Sequence, residues 1–272
     1  MKFVKPVELF LTLGLVATLG ACGSPGGEGG ENEAVTTSAP TEQTAAPSSE
    51  GGEGGEGGEG GEKADSGDAA VDYATTLSLM LGHLMVAEEL LAAGESVQAE
   101  SHLGHPADEL YGDVAAALGD RGVADFKPDL DALSDLVKSS PKAPVIQDKL
   151  QEVIKKIDAA IAVLGDDKLK SPEFVMAVVN GLLKVAGQEY AAAIADGKIV
   201  EAVEYQDSRG FVFHSEMLYN SIADQLSPES QATISAAFKN LKAAWPTVTP
   251  PATPVKTPQE VLGYIVEIEA GS

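Results

Sequence analysis

Three of the four histidines in this chain fall between positions 83 and 105, and a carboxylate follows them. His83 lies in the run LMLGHLMVA, and His102, His105 and Glu109 follow at spacings of three and four. Residues three and four apart share one face of a helix. Neutral imidazoles beside a carboxylate suit iron, zinc, copper or manganese better than calcium or magnesium. The segment therefore predicts a transition-metal site.

Polar residues at core positions of two later helices extend this prediction. Glu189 continues the apolar stripe of the helix predicted from residue 171 to 195, and Glu204 shares a helix face with Asp207. His214 also lies among apolar positions. An ionised carboxylate in such a place is costly unless it is paired, hydrogen-bonded or bound to a metal. The candidate ligands are His83, His102, His105, Glu109, Glu189, Glu204 and His214.

A buried polar network without a metal is the alternative for the same residues. His83 would then be a hydrogen-bonded core residue, and His102 and His105 would cap helices or lie in a surface loop. The inward carboxylates would pair with nearby basic side chains, for which Arg209, Lys184 and Lys198 are available.

No catalytic motif accompanies these residues. The Glu-x-x-His motif of di-iron bundles is absent, because Glu100 is followed three residues later by Leu103 and Glu109 by Gly112. His-Glu-x-x-His, a glycine-rich phosphate loop and Gly-x-Ser-x-Gly are also absent from the sequence. A metal-dependent enzyme is therefore only the third interpretation, after a metal-binding protein and an interaction module.

Composition and charge exclude other functions. The formal net charge is -24, with 18 Lys and Arg against 42 Asp and Glu. Nucleic-acid binding needs a basic face, so we expect no nucleic-acid partner. The single cysteine excludes an internal disulfide.

The N-terminus has the order of a secretory signal. Lys2 and Lys5 precede the apolar run from Leu9 to Leu19, and small residues lead to Cys22. The ending Leu-Gly-Ala-Cys resembles the lipobox of bacterial lipoproteins. That resemblance implies a signal peptide over 1–21, a lipidated Cys22 carrying acyl chains such as palmitate, and a membrane anchor. Gly23 stands where inner-membrane retention would place Asp, which implies the outer membrane if the cell is Gram-negative.

The sequence predicts a flexible tether over residues 22–67 and an all-α domain over residues 68–272. The tether is rich in Gly, Glu, Ser, Thr and Pro and contains GGEGGEGGEGGE from 51 to 62. Such a composition buries too little apolar surface to offset the entropy of the chain. It would hold the folded domain away from the membrane.

Helical periodicity predicts a bundle of about seven or eight helices with no strand alternation. The first helix is apolar nearly all round, as is typical of a helix in the centre of a bundle. We expect a sharp turn at His105, before Pro106, and an extended crossing segment over the proline-rich stretch 246–258. The predicted helices are 71–93, 106–118, 128–138, 145–164, 171–195, 198–226, 227–245 and 258–270, with a short helical turn over 95–102.

The segment from 82 to 109 resembles the imelysin and EfeO-like group of bacterial periplasmic proteins. Those proteins carry Gly-x-His-x-x-Glu; here Gly104 directly precedes His105, with Asp108 three positions later and Glu109 one further on. The resemblance implies an exported helical protein linked to the handling of iron or other metals.

The sequence thus predicts an extracytoplasmic, lipid-anchored, all-α protein that faces the periplasm or cell exterior. It would bind a transition metal, with iron first and copper or zinc next. The alternative function is a non-catalytic envelope interaction or structural module.

Overall fold

The computed structural model describes residues 65–272. The predicted signal peptide, the lipidated Cys22 and nearly all of the tether lie outside the described residues and stay predictions.

The described part is all-α, which confirms the predicted fold class. Ten α-helices follow one another in residues 65–272, with one π-helical turn, one 3₁₀ turn and one small hairpin. The helices are α1 Ala69–Ala93, α2 Ser96–His105, α3 Tyr111–Asp120, α4 Lys127–Ser139, α5 Ile146–Ala162, α6 Asp166–Leu169, α7 Pro172–Ala192, α8 Ala202–Ile222, α9 Pro228–Lys242 and α10 Pro258–Gly271. The π-helical turn is Pro106–Leu110 and the 3₁₀ turn is Ala223–Gln225.

Helix α1 is the central helix of the bundle. The Asp68 side chain accepts hydrogen bonds from the N–H groups of Ala70 and Val71 at its start, and Gly94 ends it at a φ of 85°. The helix packs against α2, α5, α7 and α8. It is the one helix in residues 65–272 that is long and apolar enough to cross a membrane, but 67% of its most apolar window is buried in the fold. That burial fits a core helix.

Two glycines let α1 and α8 cross in close contact. A Cβ atom on Gly210 would lie 2.3 Å from the carbonyl oxygen of Gly82, which is far inside van der Waals distance. A Cβ on Gly82 would in turn lie 2.6 Å from the Phe211 ring. The glycines therefore set the spacing of the two helices beside His83 and near Asp207.

The chain does not turn sharply at His105, contrary to the sequence prediction. Helix α2 continues through the π-helical turn into α3, and His105 and Pro106 both have right-handed helical dihedral angles. Proline lacks the N–H of the helical ladder, and its ring crowds the carbonyl four residues earlier. A π-helical turn is wider than an α-helical one, so it accommodates the proline without ending the helix.

The prediction of a helix starting at Lys198 was also wrong. Strands β1 Ile194–Ala195 and β2 Lys198–Ile199 form an antiparallel hairpin before α8. Asp196 and Gly197 join them with φ angles of 52° and 71°. Two positive φ values are what a type I′ hairpin turn requires, and Asp-Gly is a frequent pair there. The sequence prediction has only a gap between two helices at this dipeptide.

The predicted starts of the last helices are confirmed by their caps. Ser171, Ser227 and Thr257 each accept a hydrogen bond from a backbone N–H of the following turn, and a proline occupies the next position. The stretch between α9 and α10 contains no helix, as its prolines predicted.

Candidate metal centre

Four side chains from three helices meet beside the α1–α8 crossing. They are His83 on α1, His102 and His105 on α2, and Asp207 on α8. One potential ligand atom from each lies within 4.8 Å of the other three, and this is the one such group in residues 65–272. His83, His102 and Asp207 are fully buried. The cluster therefore draws on residues 124 positions apart in the chain.

The carboxylate of Asp207 is the centre of the cluster. Its Oδ1 lies 2.6 Å from His83 Nδ1 and 2.7 Å from His102 Nδ1. Burial alone would raise the pKa of Asp207, but the rings of His83 and His102 outweigh that effect and hold the pKa well below its usual value. The ionised carboxylate can only accept hydrogen bonds. Both Nδ1 atoms therefore carry a proton in this arrangement.

The other ring nitrogen of His102 is held by an amide. His102 Nε2 lies 2.9 Å from Gln206 Oε1, and Gln206 Nε2 donates to Gln98 Oε1 at 2.8 Å and to the carbonyl of Val248 at 3.3 Å. These two bonds fix the amide so that its oxygen faces the imidazole, and His102 Nε2–H donates to it. Nδ1 is then the nitrogen that His102 can offer to a metal, since the partner of one ring nitrogen decides the role of the other.

Two buried polar atoms of the cluster have no hydrogen-bond partner within residues 65–272. They are His105 Nδ1 and Asp207 Oδ2, which lie 3.5 Å apart. Orphaned polar atoms are rare in protein interiors and call for a structural or functional explanation. A cation placed among these atoms would satisfy both. Three imidazoles and one carboxylate are also a ligand set that transition metals accept.

His105 connects the cluster to the protein surface. Its side chain is 23% exposed, and its Nε2 lies 3.9 Å from Oε1 of the exposed Glu109. Burial alone would lower the pKa of His105, but the nearby carboxylates of Asp207 and Glu109 outweigh that effect and raise it. Protons therefore compete with a metal at His105 in the range where histidine titrates.

The imidazole rings of the cluster pack against one another and against Phe211. The ring of Phe211 meets the His83 ring edge-on, with the ring centres 5.0 Å apart. The three histidine rings lie 5.3 to 6.3 Å from one another. Side chains fixed in this way hold ligand atoms in place before a metal arrives, which lowers the entropy lost on binding.

The structure brings three of the predicted ligands together and places the others differently. Glu109 lies at the surface beside His105. Glu189 is buried on α7 and Glu204 is partly buried in the first turn of α8, and neither belongs to the cluster. His214 lies two turns beyond Asp207 on α8, beside a separate cavity. Arg209, considered as a partner for the inward carboxylates, donates two hydrogen bonds to Glu89.

The predicted ligand set lacks Asp207, although the sequence indicates that this carboxylate points inward. Asp207 shares a helix face with Glu204 and with the core residue Phe211, so it was visible as an inward carboxylate. Both acids fitted the pattern. A helix rises about 1.5 Å per residue, so the two acids meet different neighbours along α8. Asp207, which is nearer the middle of the helix, reaches α1 and α2. Sequence periodicity does not show at which residues two helices cross.

We expect Gln206→Leu to weaken metal binding about 10- to 100-fold, the usual effect of losing a group that orients a metal-binding histidine. Leucine keeps the approximate volume but leaves His102 Nε2–H without its acceptor. Competition with a chromophoric chelator measures the affinity. Gln188→Leu on the exposed side of α7 is the control and should leave the affinity unchanged. Equal affinity in both variants would show that Gln206 does not orient His102.

These features define an all-α protein with a buried His/Asp cluster that is compatible with metal binding. Comparison with known families adds one match: residues 165–272 fit the model of the iron permease-associated 4-helix bundle domain. This range includes Asp207, Gln206 and the four longer helices α7 to α10, whereas His83, His102 and His105 precede it. No curated protein and no solved structure matches the chain.

Proposed function

We propose that this protein binds a transition-metal ion through His83, His102, His105 and Asp207. The observation that supports the proposal is the convergence of four ligand atoms in a buried site where His105 Nδ1 and Asp207 Oδ2 lack any hydrogen-bond partner within residues 65–272. Without a metal, these two atoms lie 3.5 Å apart and make no hydrogen bond, and each unsatisfied buried polar group costs about 1–3 kcal/mol of stability. A bound metal would turn this cost into ligand bonds.

Iron is the first candidate for the metal. Imidazole nitrogens suit iron, zinc, copper and nickel, and a carboxylate makes the set acceptable to Fe²⁺. Zinc and copper remain the next candidates, since the ligand set alone does not distinguish them. The iron permease-associated domain that residues 165–272 match adds support for iron.

The proposed function is metal binding, without a catalytic role. His102, whose Nε2–H donates to Gln206, would exchange its Nδ1 proton for the metal, so binding releases a proton. Asp207 would supply the negative charge, and Gln206 would keep His102 in the required tautomer. Glu109, exposed beside His105, would lie on the side from which a hydrated cation arrives.

Metal analysis of protein purified without a histidine tag tests this function. We expect close to one transition-metal ion per chain after incubation with Fe²⁺ under reducing conditions, followed by removal of free metal. Binding should release protons and weaken as the pH falls through the histidine range, because each imidazole must be neutral to become a ligand. Zn²⁺ and Cu²⁺ in parallel reveal the preference. Failure to retain any of the three metals would leave the envelope interaction module as the better explanation.

We also propose that the protein is anchored to the cell envelope through Cys22. Support comes from the lipobox-like Leu-Gly-Ala-Cys sequence and from the name of the matched domain, which associates it with a permease. The Gly/Glu-rich stretch would then hold the metal-binding domain away from the membrane surface.

Replacing Cys22 with serine should move the protein from the membrane fraction to the soluble fraction. Two or three acyl chains hold a protein firmly on a bilayer, and serine cannot carry the thioether that begins this anchor. Fractionation followed by mass spectrometry of the mature N-terminus measures the effect. Ser24→Ala is the control and should stay membrane-bound. An unmodified N-terminus in the wild type would contradict the anchor.

A further inference from the structure

His214 borders a cavity that is separate from the metal centre. It lies seven residues beyond Asp207 on α8, which corresponds to about 10 Å along the helix axis. The cavity has a volume of about 240 Å³ and lies among α1, α5, α7 and α8, with Ala74, Leu81, Ile161, Phe174, Val178 and Leu218 among its apolar wall residues. No group of metal ligands forms here among residues 65–272.

The imidazole of His214 is buried with an unsatisfied nitrogen. The residue is 7% exposed, and its Nε2 has no hydrogen-bond partner in the part of the chain that the structure describes. Burial lowers the pKa of His214 to about 4, so the ring is neutral at neutral pH. The rest of the cavity wall is mostly apolar, with Ser78, Ser221 and Asp158 as its other polar residues. A few polar groups among apolar walls are the usual way in which a small-molecule site orients its ligand.

We propose that this cavity binds a small neutral molecule with an apolar body and one hydroxyl group, which hydrogen-bonds to His214 Nε2. The apolar walls favour an apolar body, and a cavity of roughly 150 Å³ is already enough for benzene. A hydroxyl can donate to an unprotonated Nε2 or accept from Nε2–H, so it suits either tautomer of the ring. The exposed carboxylate of Asp158 at the cavity disfavours an anionic ligand.

Phenol and toluene are matched probes, because they differ by a hydroxyl against a methyl group on the same ring. We expect phenol to bind the intact protein about tenfold more tightly than toluene, the difference expected from satisfying one buried polar group. Isothermal titration calorimetry measures the affinities. In His214→Leu, which keeps an apolar side chain of similar size, the preference for phenol should disappear. Val97→Leu, an exposed substitution on α2, is the control and should keep the preference.

An NMR measurement on the wild type keeps the test independent of whether His214→Leu folds. Phenol should shift the Nε2 resonance of His214, while toluene should shift it much less. Equal affinities for the two probes, no binding of either, or an unchanged Nε2 resonance in saturating phenol would each overturn the proposal. None of these outcomes depends on metal binding at His83, His102, His105 and Asp207.

Discussion

Gly210→Ala is expected to lower the free energy of unfolding by about 3 kcal/mol, the upper part of the range for overpacked cores. The added Cβ would lie 2.3 Å from the backbone carbonyl oxygen of Gly82 and 2.8 Å from Val86 Cγ2. A side chain could rotate away from such a clash, but the Gly82 backbone can move only if α1 and α8 separate. Separation of the helices would also pull His83 away from Asp207.

The measurement is thermal unfolding by calorimetry, where about 3 kcal/mol corresponds to roughly 6–12 °C for a domain of this size. Gly263→Ala on α10 is the matched control, because nothing lies within 4 Å of a Cβ at that helical position. Alanine is the better helix former by roughly 0.5–1 kcal/mol, so the control should melt at the same temperature or slightly higher. A Gly210→Ala protein as stable as the wild type would show that the helices do not need this close contact.

Asp207→Asn should abolish the rise in melting temperature that metal gives the wild type. A ligand that binds only the folded state stabilises it by about 2.7 kcal/mol at a hundredfold excess over its dissociation constant, which is roughly 5–10 °C here. Asparagine keeps the shape but removes the negative charge that a divalent cation needs. The variant should also be less stable without metal, because the protons of His83 and His102 lose a charged acceptor, and breaking a buried pair costs about 3–5 kcal/mol.

His105→Ala provides a second test in case Asp207→Asn does not fold. It removes a partly exposed ligand but leaves the hydrogen bonds from His83 and His102 to Asp207 in place. Its metal-dependent rise should fall sharply, while its melting temperature without metal should change little. Glu189→Gln is the matched control, since Glu189 is a buried carboxylate outside the cluster, and it should keep the full metal effect. A wild-type melting curve indifferent to Fe²⁺, Zn²⁺ and Cu²⁺ would contradict metal binding.

Much of the secondary structure could be predicted from local sequence. The long apolar helix up to Gly94, the amphipathic helix α5 and the Ser-Pro and Thr-Pro helix starts all depend on interactions within a few residues. Two of the differences have equally local causes. Local sequence predicts a break at Pro106 because proline usually starts or ends a helix, and it predicts a gap between two helices at Asp196–Gly197, where the structure has a hairpin turn.

The sequence by itself determined that the protein is helical and that His83, His102 and His105 are candidate ligands, because residue type and helical spacing are local properties. Only the tertiary structure decided that Asp207, and none of Glu109, Glu189 and Glu204, completes the cluster. The same holds for His214, which faces another cavity. The physical reason is the crossing of α1 and α8 at Gly82 and Gly210. This contact fixes which turns of the two helices meet, and a single sequence carries no periodic signal of that position.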